Sequence, residues 1–327
     1  MSSERLRKEK SAVQQEGNDS CLILGGCGFL RSVVAKRLLA EGLRVRILDK
    51  EGQDTYRLKP VLSSIELQYG DFSNLGDLTR SLDGISTVLH FIGTTIPQTS
   101  MNDIEFDVQT NVLPTVRLLE VMKEEGTQRL IFASSGGTAY GISDFGRPLS
   151  ENDGTHPISA YGISKLMIEK YISLFSFNYD LPYTILRFSN PYGPSQHVGR
   201  PQGAVGVFLS KALRGEEIVI WGDGTTVRDY LFEDDLAAAV GAVVANKSLR
   251  GVFNVGTGEG TTLNELINVI QETFSVECHV RYERERKFDV PYNVLNIEKI
   301  TSESGWRPRY TLLDGLHEMK DAMALIR

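Results

Sequence analysis

A tyrosine and a lysine at helical spacing are the residues of this chain best suited to acid–base chemistry. Tyr161 and Lys165 form a Tyr-x-x-x-Lys string, so on a helix their side chains are neighbours on one face. A free phenol, with a pKa of about 10, is a poor base at neutral pH, but a nearby ammonium group favours the phenolate. The pair therefore predicts a tyrosine that accepts a proton from an alcohol. Without further context it would be an amphipathic-helix tyrosine beside a solvated lysine.

A glycine-rich turn after an apolar strand supplies that context. Residues 25–30 read Gly-Gly-Cys-Gly-Phe-Leu, and such glycines let the backbone approach a pyrophosphate at a helix N-terminus. Asp49 ends the next predicted strand, where a carboxylate can bind the adenosine ribose hydroxyls and would repel a 2′-phosphate. NAD is therefore predicted rather than NADP, with Lys165 on the nicotinamide ribose. The alternative is an ordinary turn and a solvated aspartate. The turn residues assigned to the cofactor are Gly25, Gly28, Phe29 and Leu30.

The next two predicted strand ends add residues to this cofactor site. Asp71 and Phe72 follow the third strand and are predicted to flank the adenine. The alternative for them is a helix cap and a core phenylalanine. Phe91 and Gly93, at the end of the fourth strand, are assigned to the cofactor as well.

Small hydroxyl residues follow the fifth predicted strand. Residues 134–141 read Ser-Ser-Gly-Gly-Thr-Ala-Tyr-Gly. Ligands of open α/β sheets bind at the carboxyl ends of the strands, so Ser135 or Thr138 is predicted to hydrogen-bond the reacting oxygen. The alternative is a turn whose hydroxyls cap the local backbone.

Strand and helix periodicities alternate along the first part of the chain, which predicts an α/β fold. Strands are predicted at residues 21–24, 44–48, 65–69, 87–92, 129–133 and 183–186. Helices are predicted at residues 33–39, 75–82, 106–125, 159–177, 205–213, 263–273 and 312–324. We expect a doubly wound parallel Rossmann sheet with a smaller C-terminal α/β lobe. The predicted divisions are a disordered lead-in (1–19), a cofactor-binding domain (20–189, with about 226–256 returning to it) and a mainly substrate-binding lobe (190–327).

Composition excludes several classes of protein. The formal net charge of -7 argues against a nucleic-acid-binding protein. No apolar run approaches the roughly 20 residues that cross a bilayer, and residues 1–19 lack the apolar stretch of a signal peptide. The 3 cysteines and 5 histidines have no metal-ligand spacing, so we expect no metal. Reduced thiols fit a cytoplasmic protein best.

The chain resembles the extended short-chain dehydrogenases/reductases of the nucleotide-sugar epimerase/dehydratase family. The resemblance runs from about residue 21 to 309. Besides the strings above, it rests on Leu-Arg-Phe-Ser-Asn-Pro-Tyr-Gly-Pro at 186–194, Trp-Gly-Asp-Gly-Thr-Thr-Val-Arg-Asp-Tyr at 221–230, Phe-Asn-Val-Gly-Thr-Gly at 253–258 and Arg-Lys-Phe-Asp-Val at 286–290.

The resemblance implies a nucleoside-diphosphate sugar in the cleft between the lobes. Arginine suits phosphate oxygens because its guanidinium is a charged planar fork. The resemblance also puts Asn111 near the tyrosine and assigns it, with Tyr161 and Lys165, to the cofactor site. The alternatives to these functional roles are an ion pair between Arg228 and Asp229, a core position for Trp221 and a helix-surface position for Asn111. The residues that it assigns to the substrate are Ser135, Tyr161, Asn190, Trp221, Arg228, Arg286, Asp289 and Asn293.

Two departures from the family pattern bear on the reaction. Arg31 stands where the family usually has a third glycine, and Gly136 stands where many relatives have the catalytic serine or threonine. Sugar 4,6-dehydratases of the family carry Thr-Asp-Glu at the positions where this chain has Gly-Gly-Thr, 136–138. The resemblance therefore disfavours dehydration, because the acids that drive the loss of water are absent. Decarboxylation of a nucleotide glucuronate is disfavoured as well, because the decarboxylases of the family usually have a glutamate at the position of Thr138.

Epimerisation at C4 needs no additional acid. In that reaction Tyr161 takes the proton of the C4 hydroxyl as hydride passes to NAD, and the 4-keto sugar rotates and takes the hydride back. Asn293 is smaller than the tyrosine that excludes N-acetyl groups in some relatives, so a UDP-N-acetylhexosamine is predicted to fit as well as a UDP-hexose. The open alternatives are a nucleotide-4-keto-sugar reductase, another nucleotide-sugar modifying enzyme and a non-catalytic NAD-binding protein. A homodimer through the helices predicted at 106–125 and 159–177 is expected from the family.

Overall fold

Seven parallel strands form the central sheet of the computed structural model, which describes residues 19–125, 129–142, 146–196, 203–286 and 289–325. All the strands of the described residues, including those of three smaller sheets, are in chain order β1 (Ser20–Leu24), β2 (Arg44–Asp49), β3 (Ile65–Tyr69), β4 (Thr87–His90), β5 (Arg129–Ser135), β6 (Tyr183–Phe188), β7 (Asn190–Tyr192), β8 (Ile218–Trp221), β9 (Val227–Arg228), β10 (Tyr230–Phe232), β11 (Gly251–Val255), β12 (Thr261–Thr262), β13 (Val280–Glu283) and β14 (Tyr292–Asn293). The order across the sheet is β3-β2-β1-β4-β5-β6-β11, and the predicted Rossmann sheet is thus confirmed.

Helices cover both faces of this sheet. They are α1 (Phe29–Ala40), α2 (Leu75–Leu82), α3 (Pro97–Ser100), α4 (Ile104–Asp107), α5 (Leu113–Glu125), α6 (Gly136–Ala139), α7 (Ala160–Tyr179), α8 (Gly203–Leu213), α9 (Glu233–Ala245), α10 (Leu263–Phe274), α11 (Glu298–Ser304) and α12 (Leu312–Ala324), with a 3₁₀ helix at Tyr56–Ser64. The order of the strands reverses between β1 and β4, and doubly wound sheets bind dinucleotides at such a switch point.

The alternation of side chains along each strand divides the core into two layers. Cys21 and Ile23 of β1 pack with α1 and α9, whereas Leu22 and Leu24 pack with α2, α5 and α7. Because both faces are covered, the central strands are apolar throughout rather than alternating with polar residues.

One predicted helix is not continuous. The segment expected to form one helix at 106–125 begins earlier, as α4, and passes through a π-helical turn at Val108–Val112 before α5. Such a turn widens the helix locally and is frequent at functional sites. Asn111 lies within this turn and is buried, at 7% exposure.

A third apolar core holds most of the remaining elements. It joins α8, β8, α10 and α12, and β8 pairs with β13 in a separate two-stranded sheet. β11 returns to the edge of the central sheet beside β6. The predicted limits of the two lobes stay a prediction, and the predicted lead-in lies, apart from Asp19, outside the described residues. Among the described helices, none combines the length and apolarity needed to cross a bilayer.

Candidate active site

The glycine turn lies at the carboxyl ends of β1 and β2. Gly25 has a φ of 74°, in the left-handed region that favours glycine, and its N–H donates to the Leu48 carbonyl at 2.7 Å. The Asp49 carboxylate accepts from the N–H of Cys27 at 2.9 Å and from that of Lys50 at 2.9 Å. The glycine turn and Asp49, which the sequence analysis assigned separately to the cofactor, are therefore joined by a hydrogen bond.

The second group of predicted cofactor residues is partly buried. Asp71 accepts from the N–H and the hydroxyl of Ser73 and pairs with Lys50 at 3.1 Å; the Ser73 bonds are the main cause of a pKa below its usual value. Phe72 is 6% exposed and lies against the His90 ring, so its side chain matches the alternative of a core phenylalanine.

Two further predicted cofactor residues follow β4. Phe91 is also in the core, edge-on to Phe188, whereas Gly93 is open on the side where a side chain would be.

Tyr161 and Lys165 lie at the start of α7, opposite the end of β5. Ser159 caps this helix by accepting from the Gly162 N–H at 3.2 Å. A Cβ built on Gly162 would lie 2.9 Å from the Thr138 carbonyl oxygen, so glycine at this position lets α7 approach α6 closely. The Lys165 ammonium donates to the Ala133 carbonyl at 2.9 Å and lies 5.8 Å from the centre of the Tyr161 ring.

Burial dominates the protonation of this pair. Desolvation raises the pKa of Tyr161 to about 12, assisted by the charge of Asp107, while a hydrogen bond from Ser135 acts in the opposite direction. Desolvation and then the charge of Arg31 lower the pKa of Lys165 to about 8. This is opposite to the phenolate-favouring effect expected from the sequence, because loss of water around the phenol disfavours its charged form.

The end of β5 and the residues that follow it contain the hydroxyl side chains predicted to act beside Tyr161. Ser135 is the last residue of β5, and its hydroxyl acts to lower the pKa of Tyr161. Gly136 has no room for a side chain, since a Cβ there would lie 2.6 Å from Leu295 Cδ1 and 3.2 Å from the Arg187 carbonyl oxygen. The Thr138 hydroxyl is buried and has no hydrogen-bonding partner among the described residues.

Three predicted substrate residues meet beside Gly137. A Cβ built on that glycine would lie 3.8 Å from Ser135 Oγ, 3.8 Å from Asn190 Oδ1 and 4.0 Å from Asn293 Oδ1. Asn190 donates to the Asp229 carbonyl at 3.0 Å, and Asn293 donates to the Gly136 carbonyl at 2.9 Å. Asn293 is 1% exposed and its Oδ1 has no partner in the described part of the chain.

The other predicted substrate residues lie farther along the cleft. The Arg286 guanidinium stacks 3.0 Å above the centre of the Trp221 ring, and Trp221 is 37% exposed, which excludes the alternative of a core aromatic. Arg228 donates to the Val227 carbonyl at 2.8 Å and lies within electrostatic range of Asp289.

The alternative of an Arg228–Asp229 ion pair is also excluded. In the described structure Asp229 pairs with no arginine; it is fully buried and accepts from the N–H groups of Thr257, Gly258 and Leu295 and from the Thr257 hydroxyl. Asp229 therefore organises the loops around the cleft, and Arg228 is left to interact elsewhere.

A buried carboxylate that the sequence analysis missed lies behind the tyrosine. Asp107 is fully buried and accepts from the hydroxyls of Thr95 and Ser164 and from the amide of Asn111 at 3.2 Å. Asn111 Oδ1 in turn accepts from the Thr94 N–H at 3.0 Å, so Asn111 is not the helix-surface residue of the alternative. The sequence did contain a signal, because Asp107 and Asn111 are four positions apart on a segment read as helical.

Comparisons with known proteins agree with this geometry. A model of the NAD-dependent epimerase/dehydratase family matches residues 21–256. The dTDP-4-dehydro-6-deoxyglucose reductase of Escherichia coli is 31% identical over 91% of this chain and 95% of its own length.

Solved structures are similar over almost the whole chain. The UDP-glucose 4-epimerase of Thermotoga maritima with UDP-glucose has a TM-score of 0.87 and 31% identity, covering 94% of this chain and 99% of its own. The UDP-glucose 4-epimerase of Thermus thermophilus in complex with NAD has a TM-score of 0.86 and 30% identity, covering 93% and 99%.

Proposed function

The chain belongs to the NAD-dependent epimerase/dehydratase family, and on that premise we propose that it interconverts the C4 epimers of a nucleotide-activated sugar. The observation that carries this proposal is the placement of Tyr161 and Lys165 at the start of α7, against the carboxyl end of β5, where the Lys165 ammonium binds the Ala133 carbonyl. The pair lies at a strand end, where α/β sheets bind ligands, and the segment at 136–138 contains no carboxylate for dehydration. The substrate class is a UDP-hexose or UDP-N-acetylhexosamine.

The residues of the cleft fit NAD. The glycine turn is a surface that a Cβ would fill, and the Asp49 carboxylate lies beside it with both oxygens hydrogen-bonded to backbone N–H groups. Gly25 and Gly28 would hold the pyrophosphate, Asp49 the adenosine ribose, and Lys165 the nicotinamide ribose. When bound, NAD supplies the hydride acceptor and donor.

Tyr161 performs the proton transfer in this proposal. In its ionised form the side chain accepts the proton of the C4 hydroxyl when that carbon is oxidised, and the phenol thus formed returns the proton when the carbonyl is reduced. The Ser135 hydroxyl favours the ionised phenol, which opposes the effect of burial on the pKa of Tyr161. A positioned acid–base group of this kind typically contributes about 10²–10⁴-fold to a rate.

The far half of the cleft is suited to a nucleoside diphosphate. Trp221 offers an exposed indole face against which a base can stack, and Arg286 and Arg228 bring positive charge to the same region. Asn190 and Asn293 lie between these residues and Tyr161, beside Gly137, where the sugar would be held.

Asn293 supports acceptance of a C2 N-acetyl group. Its side chain is compact, is held by the Gly136 carbonyl, and leaves Oδ1 without a partner among the described residues. An amide N–H of the substrate would supply the missing donor, and buried polar atoms are costly when unpaired.

The nearest rival is a nucleotide-4-keto-sugar reductase, which the similarity to the Escherichia coli reductase favours. The two activities differ in cofactor balance. With UDP-glucose or UDP-N-acetylglucosamine, an epimerase converts many substrate molecules while NADH absorbance stays constant. Oxidation of one NADH for each 4-keto sugar consumed, with no epimerisation, would establish the reductase instead.

A further inference from the structure

The Arg31 side chain folds back over the glycine turn. A Cβ built on Gly28 would lie 2.7 Å from Arg31 Nε and 2.8 Å from its Cζ, and one on Gly25 would lie 3.2 Å from the same Cζ. The guanidinium therefore lies against the surface that two side-chain-free residues keep open. A smaller residue at position 31 would leave this surface bare.

The same place faces the N-terminus of α1. Gly28 is the N-cap residue, no side chain caps the helix, and its first turn contains no acidic residue. The first N–H groups of a helix lack intrahelical partners and carry partial positive charge. Arg31 is the third residue of this helix, so its full charge is added to that partial charge.

Asp49 is the carboxylate near Arg31, but it forms no ion pair with it in the described structure. Among the described residues, none accepts a hydrogen bond from its guanidinium, and Asp49, the carboxylate whose charge acts on it, is occupied by the N–H groups of Cys27 and Lys50. The charge of Arg31 reaches Lys165 on the opposite wall and disfavours a second cation there. Two cations and a helix N-terminus facing one space make a site for an anion.

We propose that Arg31 is a pyrophosphate-binding residue of the NAD site, donating its charged N–H groups to phosphate oxygens and thereby retaining the cofactor. The guanidinium must first move off the glycines, because it fills the space that a phosphate needs. Arginine suits this task since its planar fork matches phosphate oxygens and stays charged. The proposal concerns cofactor binding alone and holds whichever sugar reaction the protein catalyses.

The test is the dissociation constant of NAD for nucleotide-free protein, measured by calorimetry, with adenosine as a ligand that lacks the pyrophosphate. For Arg31→Met we expect Kd for NAD to rise about 10–100-fold, as for loss of charge-assisted hydrogen bonds, and Kd for adenosine to stay unchanged. The Kd of the wild type should also rise more steeply with salt than that of the variant. Arg37→Met, an exposed arginine of the same helix, is the matched control.

Two results would overturn the proposal. NAD binding by Arg31→Met as tight as, or tighter than, that of the wild type would make Arg31 an obstruction. Equal weakening of NAD and adenosine would mean that Arg31 supports the shape of the turn. If Arg31→Met fails to fold, Arg31→Lys decides, because it keeps the charge and loses the fork: Kd for NAD should rise severalfold, and an unchanged Kd would exclude the proposed contact.

Discussion

Lys165 lies beneath the end of β5, with its ammonium against the Ala133 carbonyl and 4.7 Å from the centre of the Phe132 ring. These contacts compensate only in part for the water that it has lost, so its pKa falls to about 8. A lysine whose folded pKa is below the unfolded value near 10.5 binds its proton more weakly in the folded state. Its charge therefore destabilises the fold at neutral pH.

Lys165→Met should separate stability from function. We expect the variant to be inactive yet more stable than the wild type by about 1–3 kcal/mol at pH 7. The difference should shrink as the pH rises from 8 toward 10.5, because the wild-type lysine then loses its proton in both states. Urea unfolding at pH 7 and pH 9.5 measures this, with the exposed Lys170→Met as control. A destabilised variant, or a difference independent of pH, would contradict the account.

Tyr161→Phe removes the proposed proton acceptor and little else. Turnover should fall at least about 10³-fold, near the typical contribution of a positioned base, while nucleotide-sugar affinity changes less than threefold. Single-turnover kinetics and calorimetry measure the two quantities. A loss of affinity as large as the loss of rate would assign Tyr161 to binding rather than to proton transfer.

Asn293→Tyr tests the choice of sugar. The larger side chain should lower kcat/KM for UDP-N-acetylglucosamine at least about 10-fold more than kcat/KM for UDP-glucose, since steric exclusion acts only where the C2 substituent is large. Competition assays with both substrates give the ratio directly. An equal loss for the two sugars would mean that Asn293 supports the Gly136 loop instead of selecting the substrate.

At the scale of elements, the π-helical turn positions the residues behind the tyrosine. It turns Asn111 inward and lets Asp107 face α7, where Ser164 lies between Tyr161 and Lys165 in the sequence. A continuous α-helix was the natural prediction for this segment, because periodicity cannot reveal one additional residue in a turn. The buried carboxylate depends on that turn and on residues from three elements.

Asp107→Ala should destabilise the fold more than an ordinary cap substitution. It leaves the Thr95 and Ser164 hydroxyls without their carboxylate acceptor and removes one of the acceptors of the Asn111 amide, which keeps the backbone carbonyl of residue 107 at 3.0 Å. We expect this loss to cost about 2–4 kcal/mol. Asp103→Ala, which removes the cap of α4, should cost about 1 kcal/mol. Denaturant unfolding of both variants provides the comparison. A loss no greater than that of Asp103→Ala would show that the network contributes little.

The sequence predicted the elements better than the chemistry between them. The strand at 65–69 and the helices at 75–82 and 312–324 have the predicted limits, because apolar periodicity and Asn or Thr caps mark them locally. The predicted direction of the shift in the pKa of Tyr161 was wrong, because desolvation depends on packing that no local pattern encodes. The steric clash that a side chain at position 136 would make involves Leu295, which is far away in the sequence, so the segment around Gly136 could not have predicted it.

At the scale of the whole molecule, two neighbouring helical segments expose apolar side chains. Phe106 and Leu113 lie on the segment from α4 to α5, and Ile163, Tyr171 and Leu174 lie on α7. The pattern supports the predicted homodimer, in which a second copy covers both helices.

Leu174→Glu should therefore shift the protein from dimer to monomer. Leu174 is 49% exposed, and Leu313 on α12, at 48%, is a matched leucine outside this surface. Light scattering coupled to gel filtration gives the mass in solution. A wild-type monomer, or dissociation by Leu313→Glu alone, would contradict the predicted interface.

The most direct test of the proposed reaction follows the hydrogen at C4. UDP-glucose and UDP-N-acetylglucosamine, each deuterated at C4, are incubated with the purified protein without added cofactor and observed by NMR. The account predicts an equilibrium mixture containing the C4 epimer, with deuterium retained at C4, because the hydride returns to the carbon that it left. No epimer from either sugar, even after NAD is added, or an epimer with solvent hydrogen at C4, would contradict it.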